Sequence, residues 1–242
     1  MAPLEVILVP GMDGTGRLFR PLLQALPASL LPRVVPYPAG ATTFVDVESA
    51  IVAAFPPSGP FAILAESFSG TAALAAASRR PPGLAALVLA ASFVRSPCPG
   101  PVSRLRGLAR GPLVRLGAHS ALLRGILHAG APEEIAAEAL AVIRSVDARL
   151  LAARARQALS ADSRDILRAC PVPILLLRAS RDRLVPARAA REMKAIRPDL
   201  EEVVLDAPHL VLQSRPREAA RAIEEFVFRS AAGQGAAAAQ AG

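Results

Sequence analysis

Short, almost uninterrupted apolar runs alternate along the chain with longer segments in which apolar residues recur every three or four positions. The short runs are rich in Val, Ile and Leu, the pattern of strands covered on both faces. They predict strands over Glu5–Val9, Arg33–Tyr37, Phe61–Ala65, Ala85–Ser92, Pro173–Arg178 and Glu201–Leu205. The longer segments predict helices over Arg17–Leu26, Val47–Phe55, Ser69–Arg79, Ala187–Ile196 and Arg217–Phe228. Alternation of the two at this spacing implies an α/β fold, with a mostly parallel, doubly wound sheet of about six strands.

Connections in such folds are normally a few residues long. About eighty residues separate the strand ending at Ser92 from the one starting at Pro173. Their periodicity predicts helices over Val102–Leu116, Ser120–His128, Pro132–Val146 and Ala148–Leu159. An insertion there falls over the C-terminal ends of the strands, where ligands bind in open α/β sheets. The expected organisation is therefore a core formed by 1–93 and 169–230, a helical cap at 94–168, and a low-complexity tail at 231–242. The tail has too little apolar bulk to pack and is expected to be disordered.

A length of 242 residues supports one large domain with a core that needs no disulfide or metal. No run reaches the ~18 consecutive apolar residues of a membrane span. The start, Met1-Ala-Pro-Leu-Glu, lacks the basic region of a secretion signal, so a cytoplasmic protein is expected. Cys98 and Cys170 make neither a disulfide framework nor a metal-ligand spacing. The net charge of +8 rests on arginine, since Lys194 is the only lysine. Residues 94–168 hold 12 Arg against 6 acidic residues, which places +6 of that excess in the cap. With no Trp and one Tyr, the basic residues lack the interleaved aromatics of nucleic-acid binders, and no nucleic acid is expected as partner.

The most informative segment is Phe61-Ala-Ile-Leu-Ala-Glu-Ser-Phe-Ser-Gly. A buried strand runs directly into Ser67, then into small residues and an alanine-rich helix. This is a nucleophile elbow, which needs small side chains two positions either side of the serine. Ala65 and Ser69 meet that need here. Upstream, Pro10-Gly-Met-Asp-Gly-Thr-Gly follows the first strand. It matches neither a phosphate loop nor Gly-x-Gly-x-x-Gly. It suits a turn offering the Met12 N–H, beside that of Phe68, to a developing oxyanion.

A nucleophilic serine needs a base, and the base needs an orienting acid. Of three histidines, His119 and His128 lie in the cap, whereas His209 follows the last strand. Asp182 follows the preceding strand at the same sheet edge. Asp206 is a rival acid, but three residues before His209 it is poorly placed for Nδ1, and a local structural role is expected. The order Ser67, Asp182, His209 is the chain order of α/β-hydrolases.

From Leu4 to Arg229 the chain resembles bacterial serine hydrolases of the α/β-hydrolase superfamily, esterase-like and carrying a helical cap. The glycine-rich loop, the elbow, Asp182-Arg-Leu-Val-Pro and Ala207-Pro-His209 carry the resemblance. The chain departs from the common pattern in Pro10-Gly11 for His-Gly, in Ala65 and Ser69 for the elbow glycines, and in the absence of two leading antiparallel strands. The resemblance implies hydrolysis of a carboxylic ester through an acyl-enzyme on Ser67, with no metal or organic cofactor and no membrane insertion. A thioesterase, a carrier-protein ester hydrolase or an acyltransferase would use the same residues. A small-molecule ester or thioester is the expected partner, and the basic cap would suit an acidic acyl-carrier protein. A catalytically silent binding protein on the same fold is the alternative from a different class.

Overall fold

The computed structural model describes residues 3–98, 112 and 131–241. The expected helices Val102–Leu116 and Ser120–His128, with His119 and His128, lie outside the described residues apart from residue 112. Six strands, β1 (Leu4–Val9), β2 (Leu30–Val34), β3 (Phe61–Glu66), β4 (Leu84–Ala90), β5 (Ile174–Ala179) and β6 (Glu201–Leu205), form one sheet in the order β2-β1-β3-β4-β5-β6. Every neighbouring pair is parallel. The chain starts inside the sheet at β1, steps outward to β2, and returns to β3 on the other side of β1. That reversal opens a crevice at the C-terminal ends of β1 and β3.

Alternate side chains of the central strands feed two separate cores. Ile7, Val9, Ile63, Ala65, Leu87, Leu89, Ile174 and Leu176 face one layer, built on α2 (Phe44–Ala53), α3 (Gly70–Ser78) and α7 (Ala187–Ile196). Val6, Leu8, Leu64, Val88, Leu175 and Leu177 face the other, built on α1 (Arg20–Ala25), α8 (Val211–Ser214) and α9 (Pro216–Ala241). Because both faces are covered, β3 and β4 are buried at every position and read as apolar runs, with Glu66 at the end of β3 the exception. The edge strands β2 and β6 are partly exposed, and Pro32 is tolerated in β2 because an edge strand leaves one side unpaired.

Local chemistry fixes the element ends. Thr43 caps α2 reciprocally: its hydroxyl accepts the Asp46 N–H at 3.1 Å, and the Asp46 carboxylate accepts the Thr43 N–H at 2.8 Å. Strand β2 lies upstream of its expected Arg33–Tyr37 position, because register with β1 pairs Leu4 with Leu30 and Leu8 with Val34. Pro36 and Pro38 then remove two donors from the continuation.

Two features of the expected organisation are revised. The insertion closes on itself earlier than Arg168. The Val94 carbonyl accepts the Ser163 N–H at 2.7 Å, and the Ala161 carbonyl accepts the Ser96 N–H at 3.0 Å. Beyond that neck, α6 (Arg164–Ala169) packs on α3 and α7 and belongs to the core wall. Within the excursion, α4 (Glu133–Ser145) rests its Ala139, Leu140 and Val142 against Leu18 and Leu210, and α5 (Ala148–Leu159) follows it.

The tail is the second revision. Instead of disorder from residue 231, α9 continues to Ala241, as alanine's high helix propensity allows once a packed helix precedes it. Ala231 packs against the core, and the Gln234 side-chain amide donates to the Leu84 carbonyl at 2.9 Å. Deleting 231–242 should therefore lower the melting temperature. Losing one such bond costs about 1 kcal/mol, or about 2–4 °C in a domain this size. Calorimetry of the truncated chain checks this, and an unchanged melting temperature would contradict it.

Candidate active site

Strand β3 ends at Glu66, and the chain reverses through a tight turn at Ser67–Ser69 into α3. Ser67 has φ 54°, in the left-handed region that costs a side-chain-bearing residue energy. Several contacts hold it there. The Ser92 hydroxyl donates to the Ser67 carbonyl at 2.8 Å. A Cβ on Gly70 would sit 1.9 Å from that same hydroxyl, so glycine is required at this position by space rather than by backbone angle. The buried Ser69 hydroxyl, 3.0 Å from both the Val9 and Glu66 carbonyls, closes the turn from below. Its role is structural, which leaves Ser67 as the serine facing outward from the elbow.

The loops after β5 and β6 bring two more side chains to this edge. His209 Nε2 lies 2.9 Å from Ser67 Oγ, and its Nδ1 lies 2.8 Å from Asp182 Oδ2. The other Asp182 oxygen accepts the N–H groups of Leu184 and Val185, both at 2.8 Å, so the carboxylate cannot rotate away. Both side chains are almost wholly buried. Burial pushes the His209 imidazole down, but the charge and hydrogen bond of Asp182, with the charge of Glu66, outweigh it and leave its pKa raised above 6.5. Asp206 is exposed and turned elsewhere, accepting from Ser180 Oγ at 3.0 Å and Arg181 Nε at 2.8 Å.

The glycine-rich loop lies beside the elbow. A Cβ built on Gly11 would be 3.8 Å from the Ser67 Cβ. The Gly11 carbonyl accepts the Gly14 N–H at 3.0 Å, Asp13 binds the Thr15 N–H at 2.8 Å, and Gly14 and Gly16 take positive φ. Gly11 thus lies beside Ser67, with Met12 next to it in the loop and Phe68 next to Ser67 in the elbow. Phe68 is fully buried, stacked on Phe44 at 4.7 Å between ring centroids.

Several residues of this region carry no motif. Glu66 is buried and accepts from the Gln213 amide at 2.9 Å. Burial pushes its carboxyl from 4.5 up to about 7; the Gln213 bond opposes this, and the charge of Asp13 adds to it. Arg154, from α5, is only 3% exposed and reaches the glycine-rich loop, while the Tyr37 hydroxyl donates to the Pro10 carbonyl at 2.7 Å. A signal for Arg154 exists in the sequence. It shares a helix face with Leu151 and Ala158, so a charge sits where the period calls for an apolar residue. Among the described residues no group of His, Cys, Asp and Glu could hold a metal ion, and no helix is long and apolar enough to cross a membrane.

Comparison with known proteins places this geometry in a family. The chain is similar in fold to a hydrolase from Oleispira antarctica (TM-score 0.81, 14% identity, 94% of this chain and 92% of that one). It is also similar to a thermophilic esterase from Thermogutta terrifontis (0.75, 21%, 95% and 91%) and an enol-lactonase from Burkholderia xenovorans LB400 (0.76, 20%, 94% and 92%). Among proteins of curated function, no significant match is found. Residues 6–222 match the model of the alpha/beta hydrolase family, and with that span covering most of its length the chain belongs to this family.

Proposed function

We propose that this hydrolase cleaves a carboxylic ester through a covalent acyl-enzyme on Ser67. The observation that carries the reading is the hydrogen-bonded series Asp182–His209–Ser67, ending on a serine held at φ 54°. With its proton on Nδ1, His209 donates to Asp182 and accepts from the Ser67 hydroxyl at Nε2. Ser67 Oγ attacks the ester carbonyl carbon as His209 takes its proton. The carbonyl π pair moves onto oxygen, and the Met12 and Phe68 N–H groups receive that oxyanion. Collapse expels the alcohol, which takes the proton from His209. Water, deprotonated by the same imidazole, then releases the acid and restores Ser67.

Glu66 lies immediately behind the nucleophile, where a full negative charge would oppose an oxyanion. Its raised pKa keeps the carboxyl mostly protonated below neutrality and only about half ionised near pH 7, so burial itself limits the unwanted charge.

A fluorophosphonate should label the wild type and leave Ser67→Ala unlabelled, with kcat for a p-nitrophenyl ester reduced by ~10⁴ or more. Labelling that survives Ser67→Ala and is lost in Ser69→Ala would move the nucleophile. Asp182→Asn should lower kcat by ~10³–10⁴, whereas Asp206→Asn should cost little. The pH profile gives a second check. His209 must be neutral to act as base, so kcat/KM should fall as pH drops through a value above 6.5. Asp182→Asn removes what raises that value and should move the acidic limb downward.

Glu66 makes a separate prediction on stability. A carboxyl whose folded pKa is raised binds more protons in the folded than in the unfolded state across the window between the two values. Its contribution is complete below 4.5 and is lost as pH rises through about 7. The corresponding loss is on the order of 3 kcal/mol. Urea unfolding across this window should show that decline in the wild type and a flatter profile in Glu66→Gln. Parallel profiles would show that Glu66 ionises freely.

A further inference from the structure

The glycine-rich loop is held by a charge from outside the sheet. The Arg154 guanidinium donates through Nε to the Ala41 carbonyl at 3.0 Å, and through one terminal nitrogen to the carbonyls of Met12 at 2.9 Å and Asp13 at 3.0 Å. It lies over the Tyr37 ring, 4.8 Å from its centroid. The Tyr37 hydroxyl and main-chain N–H bind the carbonyls of Pro10 and Gly14, at 2.7 and 2.8 Å. A full charge buried to 3% exposure is costly, and here it is spent on main-chain oxygens of the loop facing Ser67.

The geometry of the peptide group gives these bonds a consequence. In a trans peptide the C=O and the following N–H point in opposite directions. With the Gly11 carbonyl bonded to the Gly14 N–H, the Met12 N–H of the same peptide points the opposite way, away from that bond. The next two carbonyls, Met12 and Asp13, are pulled toward Arg154. Three successive peptide planes are thereby fixed, and none can flip without leaving a buried polar group unpaired. We infer that Arg154 is a positioning residue for the Met12 N–H, so that α5 of the insertion between β4 and β5 completes the oxyanion site. This rests on the acyl-enzyme reading above. Lysine cannot replace the guanidinium, because the planar fork serves three carbonyls at once and a point charge does not.

The test compares wild type with Arg154→Met and Arg154→Lys in the full chain, using a p-nitrophenyl ester and an alkylboronic acid that mimics the tetrahedral adduct on Ser67. Arg154→Met should lose kcat by ~10²-fold, the scale of one oxyanion donor, with KM within about twofold. Boronate affinity should fall alongside kcat, and Arg154→Lys should recover little of either. Added methylguanidinium should restore part of the activity of Arg154→Ala. If these variants fail to fold, Tyr37→Phe removes the hydroxyl that binds the Pro10 carbonyl and keeps the ring beneath Arg154. It should still lower kcat and boronate affinity with KM preserved. A folded Arg154→Met with kcat within about threefold of wild type, or a loss carried by KM alone, overturns the inference. So does an unaltered Tyr37→Phe where the arginine variants do not fold. If the wild type neither turns over ester nor takes fluorophosphonate at Ser67, the acyl-enzyme reading falls and this role with it. Ser67-dependent activity that ignores Arg154 refutes the positioning role alone.

Discussion

A residue with a side chain held at φ 54° costs about 1–3 kcal/mol, and much of the molecule around Ser67 is arranged so that no other conformation is open to it. β3 fixes the backbone up to Glu66 by parallel pairing with β1 and β4 on either side. Immediately beyond, Ser92 binds the Ser67 carbonyl and occupies the space a side chain at position 70 would need. α3 can start there because its alanines let it lie close against the sheet. The elbow is thus a product of packing from β4 and β1 as much as of its own sequence.

Around this strained turn lie ionisable groups that a protein core would ordinarily exclude. Glu66 meets burial by holding its proton to a higher pH, whereas Arg154 keeps its charge and satisfies it with carbonyl oxygens and an aromatic face. Asp182 stays in place through two main-chain N–H groups and the imidazole. Each solution leaves a polar group fixed without a mobile partner. Preorganised dipoles of this kind are what stabilise developing charge without reorganisation at the moment of reaction.

Among the described residues, α4 and α5 tie the excursion between β4 and β5 to this centre. Its α4 rests on Leu18 and Leu210, the latter directly after His209, and its α5 sends Arg154 to the glycine-rich loop. Its neck at Val94–Ser96 and Ala161–Ser163 is stitched by main-chain bonds, and α6 beyond it is part of the core. A fold of this kind can support many reactions on one frame, because function is carried by loops set at fixed strand ends.

The central strands were legible because burial on both faces leaves a local trace, an apolar run of strand length. The meeting of Ser67, Asp182 and His209 was legible because each lies within four residues after a strand, and parallel topology sends all those ends to one edge. The β2 boundary was not, since register with β1 decided it. The helical continuation of α9 was not, since it follows from the packed helix before it and from Gln234 meeting Leu84. Arg154 left a faint mark, a charge on an apolar helix face, but nothing local could say that Met12 lies opposite it. Strand and helix periods are written over a few residues. The pairing of a guanidinium with carbonyls about 140 positions away is decided only when the chain has folded around them.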